Sequence, residues 1–252
     1  MTTPILVTGG TGTLGTHVVP LLRAAGREVR ILTRTARDGA DGITYAAADL
    51  LNDQGIEAAL AGIETVVHLA GDAKNDEAAT RNLVKAAKAT GVRHIVYIGV
   101  IGEDTVPLGY FKAKLGAERA ILESGIPFTV LRAAQFHDLT LKVVQTMAKL
   151  PIVPAPGVFR AQPVETAEVA ARLVELALAE PAGRVPDIAG PKVYTLPDLI
   201  RTYLHATGKR RLLLPVPVPG KIGRAYRAGE NLALEGATHG HRTFEAFLAQ
   251  AI

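Results

Sequence analysis

The chain contains no cysteine and no tryptophan among its 252 residues. The missing cysteine excludes a disulfide scaffold, a thiolate metal site and a cysteine nucleophile. Aromatic residues account for only 5 % of the sequence, which argues against a base-stacking surface for single-stranded nucleic acid. We therefore expect no nucleic acid partner.

Long hydrophobic runs are also missing. No window approaches the run of about 18 uninterrupted apolar residues that a membrane span needs. Met1, Thr2, Thr3 and Pro4 lead directly into an apolar strand, without the basic and long apolar regions of a secretory leader. The sequence thus predicts a cytoplasmic protein with no membrane partner.

Charge of either sign is close to balanced, with 28 basic and 24 acidic residues and a formal net charge of +4. Positive charge is concentrated locally in one set of residues, Lys209, Arg210, Arg211, Lys221, Arg224 and Arg227. Such a cluster favours a solvated face, and it leaves open an anionic ligand or a partner protein.

Short apolar runs alternate with helical stretches over the first part of the chain. The predicted strands are residues 5–8, 29–32, 43–46, 65–69, 94–98 and 128–131. This alternation predicts an α/β protein with a doubly wound, Rossmann-type parallel sheet that binds ligands at the carboxyl ends of its strands. After about residue 134 the rhythm changes, and residues 134–252 are predicted to add a smaller substrate lobe to a single domain spanning 1–252.

The sharpest motif is a glycine-rich loop that follows the first strand and opens the first helix. Glycine lets the backbone approach a pyrophosphate, and a helix N-terminus presents free N–H groups to the anion. The alternative is a tight structural turn. We predict a dinucleotide site formed by Gly9, Thr11, Gly12, Thr13, Leu14 and Gly15.

The end of the second strand indicates which dinucleotide binds. An acidic residue there suits a free ribose hydroxyl, whereas an arginine suits a 2′-phosphate. Here Arg34 follows the strand, and the first acidic residue is Asp38. The sequence favours NADP(H) over NAD(H), unless Arg34 is an ordinary surface residue.

A tyrosine and a lysine four residues apart, Tyr110 and Lys114, open the helix after the fifth strand. At this spacing the two side chains share one helix face. An ammonium beside a tyrosine favours the phenolate, which would let Tyr110 act as a proton donor or acceptor. The alternative is an exposed helix start on which Lys114 pairs with Glu118.

These two motifs resemble those of the short-chain dehydrogenase/reductase (SDR) superfamily. Residues 8–15 match its TGxxGxxG loop, and Tyr110-x-x-x-Lys114 matches its Tyr-x-x-x-Lys pair. Residues 95–137 most resemble the atypical, NmrA-like NAD(P)H-binding branch. That branch includes NADPH-dependent quinone reductases and non-catalytic nucleotide sensors, and the resemblance covers roughly residues 4–180.

The resemblance implies further roles. Lys114 would bind the nicotinamide ribose, and adenine would contact an acid–aliphatic pair, Asp49 and Leu50. The turn after the fourth strand would line the cofactor through Leu69, Ala70 and Gly71. The residues after the sixth strand would contact substrate, namely Gln135, Phe136 and His137. His137 either transfers a proton or is a hydrogen-bonded structural residue.

One departure from the superfamily concerns the segment after the fifth strand. Its Ser or Thr, which hydrogen-bonds a substrate carbonyl, is absent from Ile98-Gly99-Val100-Ile101-Gly102, and the next hydroxyl is Thr105. A quinone or conjugated acceptor needs positioning more than a carbonyl acid.

We therefore predict an NADPH-dependent oxidoreductase that transfers hydride to a small organic acceptor: a quinone, an enone or a carbonyl compound. The alternatives are a non-catalytic NADP(H)-sensing regulator and an SDR-type isomerase or epimerase. A monomer or homodimer is expected. No metal site is expected, because the histidines lack ligand spacing.

Overall fold

The computed structural model describes residues 3–72 and 74–252. Its strands are β1 (Ile5–Thr8), β2 (Val29–Thr33), β3 (Ile43–Ala47), β4 (Thr65–His68), β5 (His94–Val100), β6 (Phe128–Ala133), β7 (Ile152–Pro154), β8 (Arg160–Ala161), β9 (Gly183–Arg184), β10 (Ile188–Ala189), β11 (Tyr194–Thr195), β12 (Leu212–Leu214) and β13 (Thr238–His239). Its helices are α1 (Gly15–Ala24), α2 (Ile56–Leu60), α3 (Asp76–Thr90), α4 (Gly109–Leu122), α5 (His137–Met147), α6 (Thr166–Leu178), α7 (Leu196–Ala206), α8 (Gly220–Ala228) and α9 (Phe244–Ala251).

The chain forms two compact units. The first contains residues 1–99, 109–131 and 169–185, and the second contains residues 100–108, 132–168 and 186–252. The chain therefore passes from one unit to the other several times. Most of α6 belongs to the first unit.

The first unit is built on a sheet with the strand order β6-β5-β4-β1-β2-β3, with β9 beside β6. Pairing is parallel from β3 through β5. The chain steps outward from β1 to β2 and β3, then returns to β4 on the other side of β1. This reversal confirms the predicted doubly wound, Rossmann-type fold, in which ligands generally bind beside the carboxyl ends of the strands at the point of reversal, here β1 and β4.

Burial explains why the strands read as near-continuous apolar runs. Every residue of β1 is buried, as are six of the seven residues of β5. Helices must cover both faces of such strands. The core on one face includes Leu6, Val66, Leu83, Ile95 and Ile121. All six predicted strands are present, with ends that differ by at most two residues.

The second unit has its own apolar core around α5, α7 and α9. This core includes Val144, Tyr194, Ile200, Tyr203 and Phe244. Two short parallel strands, β7 and β12, pair beside it, and Val153 of β7 is fully buried there. Across the described ranges, no helix combines the length and apolarity needed to cross a bilayer.

Candidate nucleotide and reduction site

The glycine loop makes a tight turn directly after β1. Gly9 adopts a positive φ of 67°, and the Gly12 N–H donates to the Gly9 carbonyl at 2.9 Å. A Cβ on Gly9 would lie 2.7 Å from the Ala70 nitrogen, and one on Gly15 would collide with the Gly9 carbonyl oxygen. Only glycine therefore allows the loop to approach both the turn after β4 and the start of α1.

The N-terminus of α1 has the features that an anion requires. The first N–H groups of a helix generally lack a partner within the helix, although in α1 the Thr16 N–H donates to the Gly12 carbonyl at 2.9 Å and the His17 N–H to the Leu14 carbonyl at 3.1 Å. A Ser, Thr, Asp or Asn side chain commonly caps them. Here Leu14 occupies the N-cap position and provides no side-chain hydrogen bond. Thr11, Gly12 and Thr13 are exposed beside it, so the loop fits the pyrophosphate of a dinucleotide.

A buried hydrogen-bond network ties this loop to the neighbouring strand. The Thr8 hydroxyl accepts the N–H groups of Leu69 and Ala70 at 3.1 and 3.0 Å, and it lies 2.7 Å from His68 Nδ1. Its one proton is therefore donated to Nδ1, which leaves His68 Nε2 to donate to Thr80 Oγ1 at 3.0 Å. The predicted turn at Leu69 and Ala70 is thus held rigidly against β1.

His68 stays neutral in this network. Burial lowers its pKa to about 3, and the positive charge of Lys114 adds to the effect. His68 links the ends of β1 and β4 through its contact with Thr8, which lies sixty residues earlier in the chain.

The predicted adenine and phosphate contacts lie beyond the ends of β2 and β3. Arg34 is exposed directly after β2. Asp49 is engaged in its own turn, where its carboxylate accepts the N–H groups of Leu51 and Asn52 at 2.9 and 3.1 Å. Hydrogen bonds from Asn52 hold the pKa of Asp49 below its usual value. Leu50 is buried, and its carbonyl accepts the Asn82 side-chain amide at 2.8 Å.

Lys114 points into the interior of the first unit. Its ammonium lies 3.4 Å from Asp76 Oδ2 and 4.7 Å from the centroid of the Tyr97 ring. Both charged side chains are almost fully buried, at 7 % and 3 % exposure. Burial raises the pKa of Asp76, and the opposing effect of Lys114 is smaller.

Asp76 also braces the turn after β4, because it accepts the N–H of Asp72. Neither Asp76 nor Tyr97 was identified from the sequence. The available signal was weak: an acidic first turn on α3, which begins the helix after β4.

Tyr110 lies one helical turn before Lys114 and is 42 % exposed. Its ring packs edge-on against Phe111 at 5.6 Å between centroids. The exposed helix start of the alternative is present, since Gly109 and Tyr110 are exposed, whereas Lys114 and Glu118 are both buried. Lys114 pairs with Asp76, and Glu118 pairs with Arg184.

The segment after β5 places its first hydroxyl in a loop contact. Thr105 Oγ1 donates to the carbonyls of Gly102 and Glu230 at 3.4 and 3.3 Å. Among residues 98–104, the side chain that bonds the backbone is Glu103, which accepts the Val100 N–H at 2.9 Å. The Thr105 hydroxyl is therefore engaged within the second unit.

The candidate substrate residues Gln135, Phe136 and His137 belong to the second unit. His137 is fully buried, stacks on Phe247, and lies with Nε2 3.1 Å from the Arg242 carbonyl. Burial lowers the pKa of His137; its full burial favours the structural interpretation, and its contact with substrate stays a prediction. Gln135 is half-buried, and its Oε1 has no hydrogen-bond partner among the described residues.

Within the part of the chain that the structure describes, no group of three His, Asp or Glu side chains could hold a metal ion. The fold and the loop together define a Rossmann-type α/β protein. The chain belongs to the NAD(P)H-binding family, whose model matches residues 9–180.

Individual proteins are similar to this chain in sequence or in fold. Quinone oxidoreductase 2 of Escherichia coli is 30 % identical over 223 residues, covering 82 % of this chain and 75 % of that protein. A solved NADPH complex of an Escherichia coli NADPH-dependent quinone oxidoreductase has a TM-score of 0.81 at 22 % identity, covering 98 % of this chain and 99 % of that one. Triphenylmethane reductase of Citrobacter sp. has a TM-score of 0.80 at 21 % identity, with 98 % and 99 % coverage. At these identities, the two structural likenesses support the fold.

Proposed function

We propose that this protein is an NADPH-dependent oxidoreductase that reduces a quinone or a similar conjugated organic acceptor. The observation that carries the proposal is the tight glycine loop that joins β1 to the N-terminus of α1, at the switch point of the sheet. The similarity to quinone oxidoreductase 2 along most of the chain supports the class of acceptor.

Different residues of the first unit would bind different parts of the cofactor. The backbone of residues 9–15 would hold the pyrophosphate, and the guanidinium of Arg34 would pair with the 2′-phosphate. The exposed position of Arg34 after β2 supports this assignment. Asp49, Leu50 and the 69–71 turn would line the remaining nucleotide, as the resemblance implies.

Tyr110 would orient the acceptor and donate the proton that accompanies its reduction. When bound, NADPH supplies the hydride, so that hydride plus one proton converts a quinone to a hydroquinone. Lys114 would bind the nicotinamide ribose, and Asp76 would set the position of its ammonium. The missing hydroxyl after β5 supports a conjugated acceptor over a simple ketone.

The test is steady-state NADPH oxidation with a panel of quinones, enones and ketones. We expect quinones to accelerate the loss of reduced-nicotinamide absorbance most. Tyr110→Phe should lower kcat by roughly 10²-fold or more, the usual contribution of a positioned proton donor. Tyr45→Phe, the same chemical change in β3, is the matched control. An unchanged kcat in Tyr110→Phe would remove Tyr110 from proton transfer.

A nucleotide-sensing regulator is the second candidate, and the inward orientation of Lys114 favours it. An ammonium paired with a buried carboxylate is less available to a ligand than an open one. NADPH binding without acceleration by any acceptor would support the regulator. A cytoplasmic location and a monomeric or homodimeric state remain predictions from the sequence.

A further inference from the structure

A basic cavity lies in the second unit between α5, α7 and the segment that precedes β12. Its volume is about 450 Å³. Four cationic side chains line it, together with the ring of Tyr203: Lys142, Lys149, Lys209 and Arg211. Two of the four belong to the basic cluster seen in the sequence, and the other two come from α5 and the residues that follow it.

No acidic residue lines this cavity. Among residues 3–72 and 74–252, no carboxylate oxygen lies within 4.0 Å of the charged nitrogens of these four side chains. Elsewhere on the surface, by contrast, basic side chains such as Lys85 and Lys192 are paired with acids at 2.8 and 2.7 Å. The cavity therefore concentrates positive charge that the chain does not neutralise.

The negative end of the α5 helix dipole offsets only part of this positive charge. A helix C-terminus is equivalent to about half a negative charge, and its effect falls off within the last turn. Arg211 satisfies that end directly, because its Nε donates to the Ala148 carbonyl at 3.1 Å. Three further ammonium groups remain around the same space, so a solvated helix end does not explain the cluster.

The hydrogen bonds around the cavity fix part of its wall in advance. A second bond joins Arg211 Nη1 to the Arg210 carbonyl at 2.8 Å, which orients the guanidinium plane and leaves Nη2 available. The backbone N–H of Lys209 donates to the Leu204 carbonyl at 2.9 Å, and the Lys209 ammonium lies 5.7 Å from the Tyr203 ring centroid. Preorganised donors lose less entropy when they bind an anion.

We propose that this cavity binds the phosphate groups of a small phosphorylated ligand, at a site separate from the glycine loop of the first unit. Arginine pairs with phosphate through two parallel hydrogen bonds, and lysine binds it as a point charge. Gln145 and Thr146 line the same space and can add neutral hydrogen bonds. The same chemistry would recognise a phospholipid headgroup, so the two sources must be separated by experiment.

Isothermal titration with pyrophosphate tests the proposal on the full chain. Saturating NADPH is present so that the glycine loop does not compete for the probe. The Lys149→Gln/Lys209→Gln variant should bind pyrophosphate at least about tenfold more weakly, since hydrogen bonds to charged groups are lost. Wild-type binding should also weaken as salt rises.

Lys221→Gln/Arg224→Gln is the matched control, because it removes the same charge from the second unit outside the cavity. Equal thermal melting of all three proteins shows that folding is unaffected. A parallel arm uses vesicles of neutral lipid with and without phosphatidic acid, and capture that depends on Lys149 and Lys209 assigns the phosphate to a headgroup. Equal pyrophosphate affinity in the three proteins, or no binding in either arm, overturns the proposal.

Discussion

Replacing Asp76 with asparagine is expected to destabilise the protein strongly, because the substitution leaves a buried ammonium without its carboxylate. Asp76 and Lys114 are 3 % and 7 % exposed, and their charged atoms lie 3.4 Å apart. Breaking a buried ion pair by removing one partner costs about 3–5 kcal/mol. For a chain of this size, each kcal/mol lowers Tm by about 2–4 °C, so Asp76→Asn should lower Tm by roughly 6–20 °C.

A double-mutant cycle separates the pair from the rest of the fold. Lys114→Met removes the second charge while keeping an unbranched side chain beside Tyr97. The double variant Asp76→Asn/Lys114→Met should be more stable than Asp76→Asn alone, because no unpaired charge remains buried. Denaturant unfolding of the four proteins at pH 7 measures the coupling.

The exposed pair of Lys85 and Asp53 provides the control. Its atoms lie 2.8 Å apart, but the side chains are 68 % and 38 % exposed. Asp53→Asn should therefore cost at most about 1 kcal/mol. If Asp76→Asn were equally mild, or if the cycle were additive, the reasoning about the buried pair would be refuted.

Three further substitutions test the nucleotide site. Thr8→Val leaves the Ala70 N–H and His68 Nδ1 without a partner, whereas the Leu69 N–H keeps the Thr8 carbonyl at 3.2 Å; it should cost roughly 2–4 kcal/mol by denaturant unfolding, and a loss under 0.5 kcal/mol would contradict the network. Gly15→Ala forces a Cβ against the Gly9 carbonyl and should weaken NADPH binding about tenfold in a fluorescence titration, whereas unchanged affinity would show that the loop can move. Arg34→Glu should reduce the preference for NADPH over NADH by about 10–100-fold in kcat/KM, and a retained preference would exclude Arg34 as the phosphate ligand.

The sheet and the glycine loop were predictable because their signals are local. Residues 5–8 form an apolar strand, and residues 9–15 follow it directly. The glycines of that loop are spaced as in loops whose backbone packs closely against neighbouring backbone or a pyrophosphate. The order of strands follows from the connection rules of such folds. The structure bears out the strands to within two residues.

The orientation of Lys114 was not predictable in the same way. A spacing of four residues places Tyr110 and Lys114 on one face of a helix, but it does not say what that face meets. The partner, Asp76, lies on α3, and the opposing ring, Tyr97, lies on β5. These contacts depend on the packing of separate elements, which the pattern of a single helix does not contain.

The central claim is that nicotinamide-dependent reduction of a conjugated acceptor takes place on this chain. The most direct measurement is an anaerobic single-turnover reaction in which NADPH loss and hydroquinone formation are followed together. We expect one hydroquinone for each NADPH consumed, at a rate that rises with enzyme concentration. Saturable NADPH binding with no acceptor-dependent oxidation would contradict the claim and favour the regulator.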